Sequence, residues 1–208
     1  MTEIDKQDVA LDETTVDRDP IKQFRLWFDD AIASGSRLPE SMTLATATPD
    51  GKPSARVVLL KNVDANGFVF YTNYRSAKAK EVDENPQAAL VFYWVGLDRQ
   101  IRVEGNVERV SPAESDEYFK TRPRESQLGA LASPQSEVIE GREVLESRLQ
   151  ALEEEYRNRE VPRPAHWGGY RLKPERLEFW ENRAGRLHDR LVYDLQSDGS
   201  WTIKRLAP

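Results

Sequence analysis

The spacing of hydrophobic positions changes several times along the chain, and each change marks an expected helix or strand. After Asp19, apolar side chains recur at helical spacing up to Gly35. They are Ile21, Phe24, Trp27, Phe28, Ala31 and Ile32. Asp19 is suited to cap a helix, and Pro20 is suited to its first turn. The pattern therefore predicts a helix over this stretch with one buried face.

Beyond this helix the pattern becomes typical of β-strands, with β-branched and aromatic runs divided by turn residues. Five such runs precede residue 111: Met42–Thr48, Ser54–Val63, Phe68–Thr72, Gln87–Val95 and Gln100–Val110. The Pro49-Asp50-Gly51-Lys52 segment predicts a hairpin between the first two. A short lysine-rich helix capped by Ser76 is expected to end at Asn85-Pro86.

The remaining chain predicts two helices followed by further strands. The helices are Pro112–Thr121 and Gly141–Arg159, and the strands are Trp167–Trp180, Arg190–Leu195 and Trp201–Leu206. Strands in mostly hairpin order with inserted helices predict an α+β fold that is predominantly an antiparallel barrel. Residues 1–18 are acidic and lack periodicity, which predicts a flexible arm, and residues 19–208 are expected to form a single domain.

Composition narrows the classes of function. The 36 acidic residues exceed the 30 basic ones and give a net charge of -6, which disfavours binding to nucleic acid or anionic lipid. The absence of cysteine excludes disulfides and cysteine nucleophiles, and two histidines disfavour a multi-histidine metal site. With no apolar run of about 18 residues and no signal-peptide pattern, we expect a cytoplasmic protein. Any bound anion must be held by locally gathered Arg and Lys.

Two segments carry candidate anion ligands near the middle of the chain. Arg56 and Lys61 flank an apolar strand, and their spacing of five points them to opposite faces, so they suit two neighbouring ligands or two solvated strand ends. Thr72 closes the next strand, and Ser76 and Lys78 open a helix directly after it. This arrangement suits a phosphate, although an ordinary capped helix has the same pattern.

A third candidate is the repeat of Tyr118, Arg122 and Ser126 at a spacing of four residues. Pro123 disfavours one continuous helix, so we expect a helix that ends near Thr121 and a new turn at Pro123. A phenol, a guanidinium and a hydroxyl gathered at such a junction suit a phosphomonoester. The alternative is a group of surface polar residues.

The most informative candidate is the segment from Arg186 to Arg190. If it is extended, Arg186 and His188 share one face while Leu187 packs behind them. A histidine beside two arginines favours the neutral form, which can accept a hydrogen bond or a proton. The alternative is a strand end in which Asp189 pairs with Arg190.

These segments together closely resemble the pyridoxine/pyridoxamine 5′-phosphate oxidase family, in the same order from about Asp19 to Pro208. The motifs that carry the resemblance are RVVLLK (Arg56 to Lys61), FYTN (Phe70 to Asn73), Arg99-Gln100, YFKTRPRESQ (Tyr118 to Gln127), Gln135-Ser136, WGGY (Trp167 to Tyr170), EFW (Glu178 to Trp180), RLHDR (Arg186 to Arg190) and the terminal RLAP.

The resemblance implies an FMN-binding split barrel that works as a homodimer with flavin at the subunit interface. It implies oxidation of pyridoxine or pyridoxamine 5′-phosphate at C4′ to pyridoxal 5′-phosphate, with hydride transfer to the flavin and reoxidation by O2 to H2O2. In such an enzyme the cofactor carries the redox chemistry, and the protein supplies orientation and electrostatics.

The resemblance also implies residue roles. Residues expected to hold FMN are Arg56, Val57, Val58, Leu59, Leu60, Lys61, Tyr71, Thr72, Lys78, Gln100, Gln135, Ser136, Trp180 and Arg190. Residues expected to bind substrate are Lys61, Tyr118, Arg122, Ser126, Arg186, Leu187 and His188, with Arg186 and His188 in the catalytic role.

Three features depart from the family pattern. Ala77 stands where relatives usually carry Arg, and Arg75 is a potential substitute; Leu38 stands where relatives tend to have an acid; the N-terminal arm lacks a basic-aromatic pattern. The Ala77 and arm departures support an alternative, a flavin- or pyridoxal-phosphate-binding barrel without oxidase activity. A barrel that binds single-stranded nucleic acid is disfavoured by the net charge.

Overall fold

The computed structural model describes residues 11–208, in which nine strands form one curled antiparallel sheet. The strands are β1 Ser41–Ala47, β2 Pro53–Leu59, β3 Asn62–Asp64, β4 Gly67–Asn73, β5 Gln87–Trp94, β6 Arg99–Arg109, β7 Trp167–Glu181, β8 Asp189–Leu195 and β9 Trp201–Arg205. The helices are α1 Pro20–Ala33, α2 Ala77–Glu84, α3 Pro112–Thr121, α4 Arg124–Ala132 and α5 Arg142–Glu155. The predicted α+β class with an antiparallel barrel is confirmed.

The sheet curls because β7, with 15 residues, is shared among three neighbours. One edge of β7 pairs with β6 along most of its length, with a register shift at Glu104/Gly105. The other edge pairs first with β4, through residues 167–172, and then with β8, through residues 176–181. Strand β9 extends the sheet from β8. The register shift is a β-bulge or irregularity of the kind that bends a strand and increases its twist.

The barrel is split between β2 and β3, which lie at opposite ends of the main strand path although they are consecutive in sequence. The sequence pattern predicts one strand over Ser54–Val63, and this prediction was wrong at Leu60. There the backbone N–H of Leu60 bonds Glu40 O, whereas the N–H of Lys61 bonds Val69 O. The chain thus changes strand partner at this point, which places Lys61 at the opening of the barrel.

The main core fills the barrel, and α1 covers it. The Asp19 side chain accepts a hydrogen bond from Ile21 N at 2.9 Å and so begins the helix as predicted. Phe24 is fully buried, with its ring centre 4.8 Å from that of Phe68 and 5.0 Å from that of Phe92. Burial of each such side chain contributes roughly 1.5–3 kcal/mol. The barrel therefore gives a rigid support to the strands that carry the site.

A smaller apolar cluster fixes α3 and α4 against the start of β7. Its buried members are Phe119, Leu128, Val161 and Trp167. Helix α3 ends at Thr121, as Pro123 predicts, and Arg122 takes an extended conformation. Helix α4 was missed from the sequence because it buries only Leu128 and Ala132 and shows no clear helical period. This cluster decides where Tyr118, Arg122 and Ser126 point.

Residues 11–18, which fall in the predicted flexible arm, lie against the barrel. Leu11 is buried, Tyr193 Oη donates to Asp17 O at 2.8 Å, and Arg205 pairs with Glu13 at 2.8 Å. Residues 1–10 are outside the described residues, so the arm as a whole stays a prediction. No helix in the described range 11–208 has the length and apolar character needed to cross a membrane.

The aromatic residues are largely accommodated within one chain. Phe92, Trp94 and Trp167 are buried in the barrel or in the smaller cluster, whereas Tyr93 is exposed on the outer face. Helices α1 and α3 pack against these three buried rings and so add core volume outside the sheet.

Candidate active site

A cavity of about 460 Å³ opens where β2 and β4 approach the junction of α3 and α4. Its volume lies within the range of small-ligand sites. The lining residues are Val57, Val58, Leu59, Lys61, Tyr71, Thr72, Asn73, Lys78, Tyr118, Arg122, Ser126, Gly129, Ala130, Ser133, Gln135 and Trp167. Segments that are up to 110 residues apart in sequence thus form a common wall.

One end of the cavity is built around Lys78, on the first turn of α2. Its Nζ donates to Thr72 Oγ1 at 3.3 Å and to Gln135 Oε1 at 3.2 Å, and Thr72 Oγ1 also donates to Gln135 Oε1 at 2.9 Å. Burial, and secondarily the charge of Arg56, lowers the pKa of Lys78. These hydrogen-bond partners are neutral, and the charge of Glu81 opposes the lowering only in part, so the ammonium has no ion-pair partner among the described residues.

The other end is built around Arg122, directly after α3. Its guanidinium lies 4.6 Å from the centre of the Trp167 ring, which holds it by a cation–π contact. Its Nη1 is buried and has no hydrogen-bond partner among the described residues. Burial lowers the pKa of Arg122. A buried, unpaired guanidinium donor is costly in a folded protein, so it indicates a missing anionic partner.

Two tyrosines stack beside this guanidinium. The rings of Tyr71 and Tyr118 are 4.0 Å apart with an interplanar angle of 18°. Burial is the main cause that raises the pKa of Tyr71 to about 12, and burial also raises the pKa of Tyr118. Both phenols therefore stay protonated at neutral pH and can donate a hydrogen bond to an anion.

The Gly168-Gly169 pair makes room for these rings. A Cβ atom at Gly169 would lie 2.8 Å from the Tyr71 ring, and one at Gly168 would lie 2.1 Å from Tyr74 Oη. The two glycines of β7 therefore leave space for the Tyr71 ring and for the Tyr74 hydroxyl. This gives a physical reason for the glycines of the WGGY motif.

The three cations that line the cavity form no ion pair within the described residues. No carboxylate in residues 11–208 forms an ion pair with Lys61, Lys78 or Arg122. By contrast, Arg171 on the same sheet pairs with both Asp64 and Glu114. In a protein with a net charge of -6, three unpaired cations around one cavity form a local anion site.

A second group of predicted residues lies outside this cavity, on the outer face of the sheet. Gln100 pairs with Trp180, and Trp180 pairs with Arg190, across β6, β7 and β8. The adjacent row, Ile101, Phe179 and Leu191, is fully buried, so alternation turns the first row outward. His188 joins this outer group, because its ring centre lies 4.7 Å from that of Trp180.

The turn before β8 carries the remaining candidates, Arg186 and Leu187, both of which are exposed. Gly185 and Arg186 have φ values of +68° and +61°, so two consecutive residues adopt the left-handed region. For the non-glycine Arg186 this costs roughly 1–3 kcal/mol, a kind of strain that is concentrated at functional sites. The expectation of an extended segment with Leu187 packed behind it was therefore wrong, because Arg186 lies in the turn and Leu187 is exposed. The alternative pair does not form either, since Asp189 pairs with Arg183 and Arg205.

The structure thus brings together two clusters rather than one. Lys61, Tyr71, Thr72, Lys78, Tyr118, Arg122, Ser126 and Gln135 share the cavity with Val57, Val58 and Leu59. Three other predicted ligands do not line it: Arg56 pairs with Glu81, Leu60 packs into the core, and Ser136 is exposed at a φ of +72°. Arg75 lines a separate small depression.

The sequence analysis assigned no role at the site to Trp167 or Glu81, since an aromatic or acidic residue alone carries no ligand signal.

Glu81 compensates the charge of Arg56 beside the cavity. Its carboxylate accepts hydrogen bonds from Arg56 Nη2 at 2.8 Å and from Ser54 Oγ at 3.0 Å, and a third from Thr46. Burial opposes its ionisation, but these hydrogen bonds outweigh burial and lower the pKa of Glu81 below its ordinary value of 4.5. Both side chains of the pair are only partly exposed, so removal of the Glu81 carboxylate would leave the Arg56 guanidinium poorly solvated and unpaired.

We therefore expect Glu81→Gln to lower the free energy of unfolding by about 1–2 kcal/mol at pH 7. The pKa of Glu81 is lower in the folded state than its ordinary value of 4.5. The ionised carboxylate therefore contributes fully to stability above pH 4.5, and this contribution is lost as the pH falls through the lower pKa of the folded state. Urea unfolding at pH 7 and in acid measures the difference. Glu84→Gln, at an exposed position on the same helix, is the control. If the difference in unfolding free energy between wild type and Glu81→Gln were the same at pH 7 and in acid, the role of the carboxylate would be contradicted.

These features define a class of protein: an antiparallel split barrel with a cation-lined cavity whose chemistry suits an anionic ligand. Two family models match the chain, "Pyridoxamine 5'-phosphate oxidase" over residues 28–156 and "Pyridoxine 5'-phosphate oxidase C-terminal dimerisation region" over residues 167–208. The chain belongs to the pyridoxine/pyridoxamine 5′-phosphate oxidase family, which confirms the resemblance.

Curated relatives agree. A pyridoxine/pyridoxamine 5′-phosphate oxidase of Trichormus variabilis is 57% identical over 199 residues, which covers 96% of this chain and 93% of the relative. One of Rubrobacter xylanophilus is 58% identical over 199 residues and covers 96% of this chain and 91% of the relative.

Solved structures share the fold. PhzG of Burkholderia lata 383, crystallised with tetrahydrophenazine-1-carboxylic acid, has a TM-score of 0.91 and 32% identity and covers 97% of this chain and 98% of that one. An FMN-binding, oxidase-related protein of Nostoc punctiforme has a TM-score of 0.71 and 18% identity, covering 89% of this chain and 97% of that one. At 18% identity the second likeness shows the fold alone.

Proposed function

We propose that this chain is an FMN-dependent oxidase that converts pyridoxine 5′-phosphate or pyridoxamine 5′-phosphate to pyridoxal 5′-phosphate. The observation that carries the proposal is the set of three cations, Lys61, Lys78 and Arg122, that line one cavity without carboxylate partners. The names of the curated relatives support the same reaction.

The residues present fit FMN as the cofactor. Lys78, Thr72 and Gln135 form a polar cradle at the N-terminus of α2, where backbone N–H groups add positive potential. When bound there, FMN would supply the hydride acceptor and the site of reoxidation by O2 to H2O2. The protein supplies the charge and the orientation.

A separate set of residues fits the substrate phosphate. Arg122 offers a buried guanidinium donor with no other partner among the described residues, Tyr118 offers a protonated phenol, and Ser126 offers a hydroxyl. Lys61 lines the same cavity and would supply a further cation between the FMN phosphate and the substrate phosphate. A phosphate dianion would thus satisfy groups that the chain itself leaves unpaired.

The outer group would complete the site from a second copy of the chain. Arg186 and His188 lie outside the cavity of their own protomer, on the dimerisation region that the family model matches. In a homodimer, the outer row Gln100, Trp180 and Arg190 would cover the flavin, with Arg186, Leu187 and His188 over the substrate ring. We expect light scattering to give about twice the 23.9 kDa chain mass.

An aromatic carboxylic acid is a second candidate substrate, because the PhzG structure contains tetrahydrophenazine-1-carboxylic acid. The separate Tyr118, Arg122 and Ser126 set favours a phosphate ester, since a carboxylate has fewer acceptor oxygens to satisfy three donors. A flavin or pyridoxal phosphate carrier without turnover remains the alternative from a different class.

A visible spectrum of the purified protein before and after anaerobic addition of pyridoxamine 5′-phosphate tests the proposal. We expect a flavin absorption band that bleaches with this substrate and returns with air, releasing H2O2. A colourless protein that takes up no added FMN would overturn the proposal. A coloured protein that does not bleach would indicate a carrier, and bleaching only by a tetrahydrophenazine carboxylic acid would indicate the second substrate.

A further inference from the structure

We propose that Arg183 is a positioning residue that fixes His188 in one orientation and in the Nε2–H tautomer. The inference rests on the function proposed above, because it assigns His188 the task of facing the substrate ring. Arg183 does not line the cavity and belongs to none of the predicted ligand sets.

The main chain of Arg183 contacts the imidazole directly. The backbone N–H of Arg183 lies 3.2 Å from His188 Nδ1. A backbone N–H can only donate, so Nδ1 must accept and carries no proton. In the neutral imidazole the proton is therefore on Nε2, which has no hydrogen-bond partner among the described residues and is left to donate a hydrogen bond.

The side chain of Arg183 fixes the position of that backbone N–H. Its Nη2 lies 2.7 Å from Glu181 Oε2, and its Nε lies 2.7 Å from Asp189 Oδ2. The guanidinium thus ties the end of β7 to the start of β8 across the turn that holds His188. Both carboxylates are largely buried, so these pairs are less screened than surface pairs.

The same guanidinium lies at the centre of a longer ion-pair network, which links α1, β6, β7, β8, β9 and the segment before α1. Its successive members are Asp30, Arg99, Glu181, Arg183, Asp189, Arg205 and Glu13. Networks hold side chains in place better than isolated pairs, because each member is already ordered by its neighbours. Within the described residues, Arg183 is the member of this network that hydrogen-bonds the imidazole, through its backbone N–H.

The turn needs such support because its backbone is strained. Gly185 and Arg186 both have positive φ values, and Leu187 N donates to Ala184 O at 3.3 Å. A strained turn persists only where surrounding contacts determine its shape. The ion pairs of Arg183 provide those contacts on both sides of the turn.

Histidine 15N NMR together with steady-state kinetics on the full-length holoenzyme tests the proposal. The chain has two histidines, His166 and His188, so a His166→Asn variant assigns the spectrum. In the wild type we expect His188 to show the Nε2–H tautomer. Arg183→Gln is expected to mix the two tautomers and lower kcat about 10-fold, with KM and flavin content changed less than about twofold. Arg183→Lys, which keeps one ion pair, is expected to restore both readouts partly.

Arg176→Gln is the matched control, because Arg176 lies on β7 and pairs with Asp194 on β8 rather than with a residue next to the turn. It should leave the tautomer and kcat unchanged. An unaltered tautomer in Arg183→Gln, with or without a loss of kcat, would overturn the proposal. If Arg183→Gln does not fold, Arg183→Lys is compared with Arg176→Lys by the same criteria. Failure of the wild type to oxidise the vitamer phosphates, with the tautomer still dependent on Arg183, would overturn the proposed function alone.

Discussion

Replacement of Arg122 by methionine is expected to lower kcat/KM for pyridoxamine 5′-phosphate by about 10²–10³-fold while FMN stays bound. The buried Nη1 of Arg122 has no partner among the described residues, so its hydrogen bond is available to the substrate phosphate. Loss of a desolvated, charge-assisted contact costs about 3–4 kcal/mol, which corresponds to this factor. Steady-state oxygen uptake measures the change.

The same substitution should not destabilise the protein without substrate. Burial lowers the pKa of Arg122, which shows that its environment opposes the charge, and methionine retains the apolar contact with Trp167. We therefore expect the Tm of the substrate-free variant to be unchanged or raised. Lys120→Met, at an exposed position in the last turn of α3, is the control and should leave both kinetics and Tm unchanged. A falling Tm with an unaltered kcat/KM would show that Arg122 is structural.

The sequence predicted most of the fold because its strands are short, apolar and separated by strong turn signals. The turn at Pro49-Asp50-Gly51-Lys52 and the helix end before Pro123 both followed from local dihedral preferences. The change of partner at Leu60 did not, because it depends on hydrogen bonds to two different parts of the fold, Glu40 before β1 and Val69 on β4. Local patterns do not encode which edge a strand will meet.

The sequence named most of the residues that line the cavity, but it did not show how they are arranged in space. Spacing alone could not show that Arg122 lies over Trp167, since 45 residues and two helices separate them. Nor could it show that Arg56 is neutralised by Glu81 or that Arg183 contacts His188. The contacts of Arg122 and Arg56 depend on how helices pack against the sheet, and they decide which of these two cations is left free to bind an anion. The Arg183 contact depends on the shape of the turn between β7 and β8.

The separation of the two clusters within one chain predicts that each active site is shared between subunits. Arg122 lines the cavity, whereas His188 lies on the outer face of the sheet. We expect Arg122→Met and His188→Ala homodimers each to lose about 99% of the activity. A heterodimer with one substitution on each chain should recover about half of the wild-type activity, because one of its two sites then receives an intact Arg122 and an intact His188.

The reverse arrangement is the matched control for that experiment. A heterodimer of a wild-type chain with a chain that carries both substitutions would place one defect in each shared site, so it should be inactive. If Arg122 and His188 instead served one site within a single chain, the two results would be exchanged. Differently tagged chains, purified through both tags, allow each heterodimer to be assayed without homodimers. The comparison therefore separates shared sites from self-contained ones by which heterodimer is active, independently of how much each substitution impairs turnover.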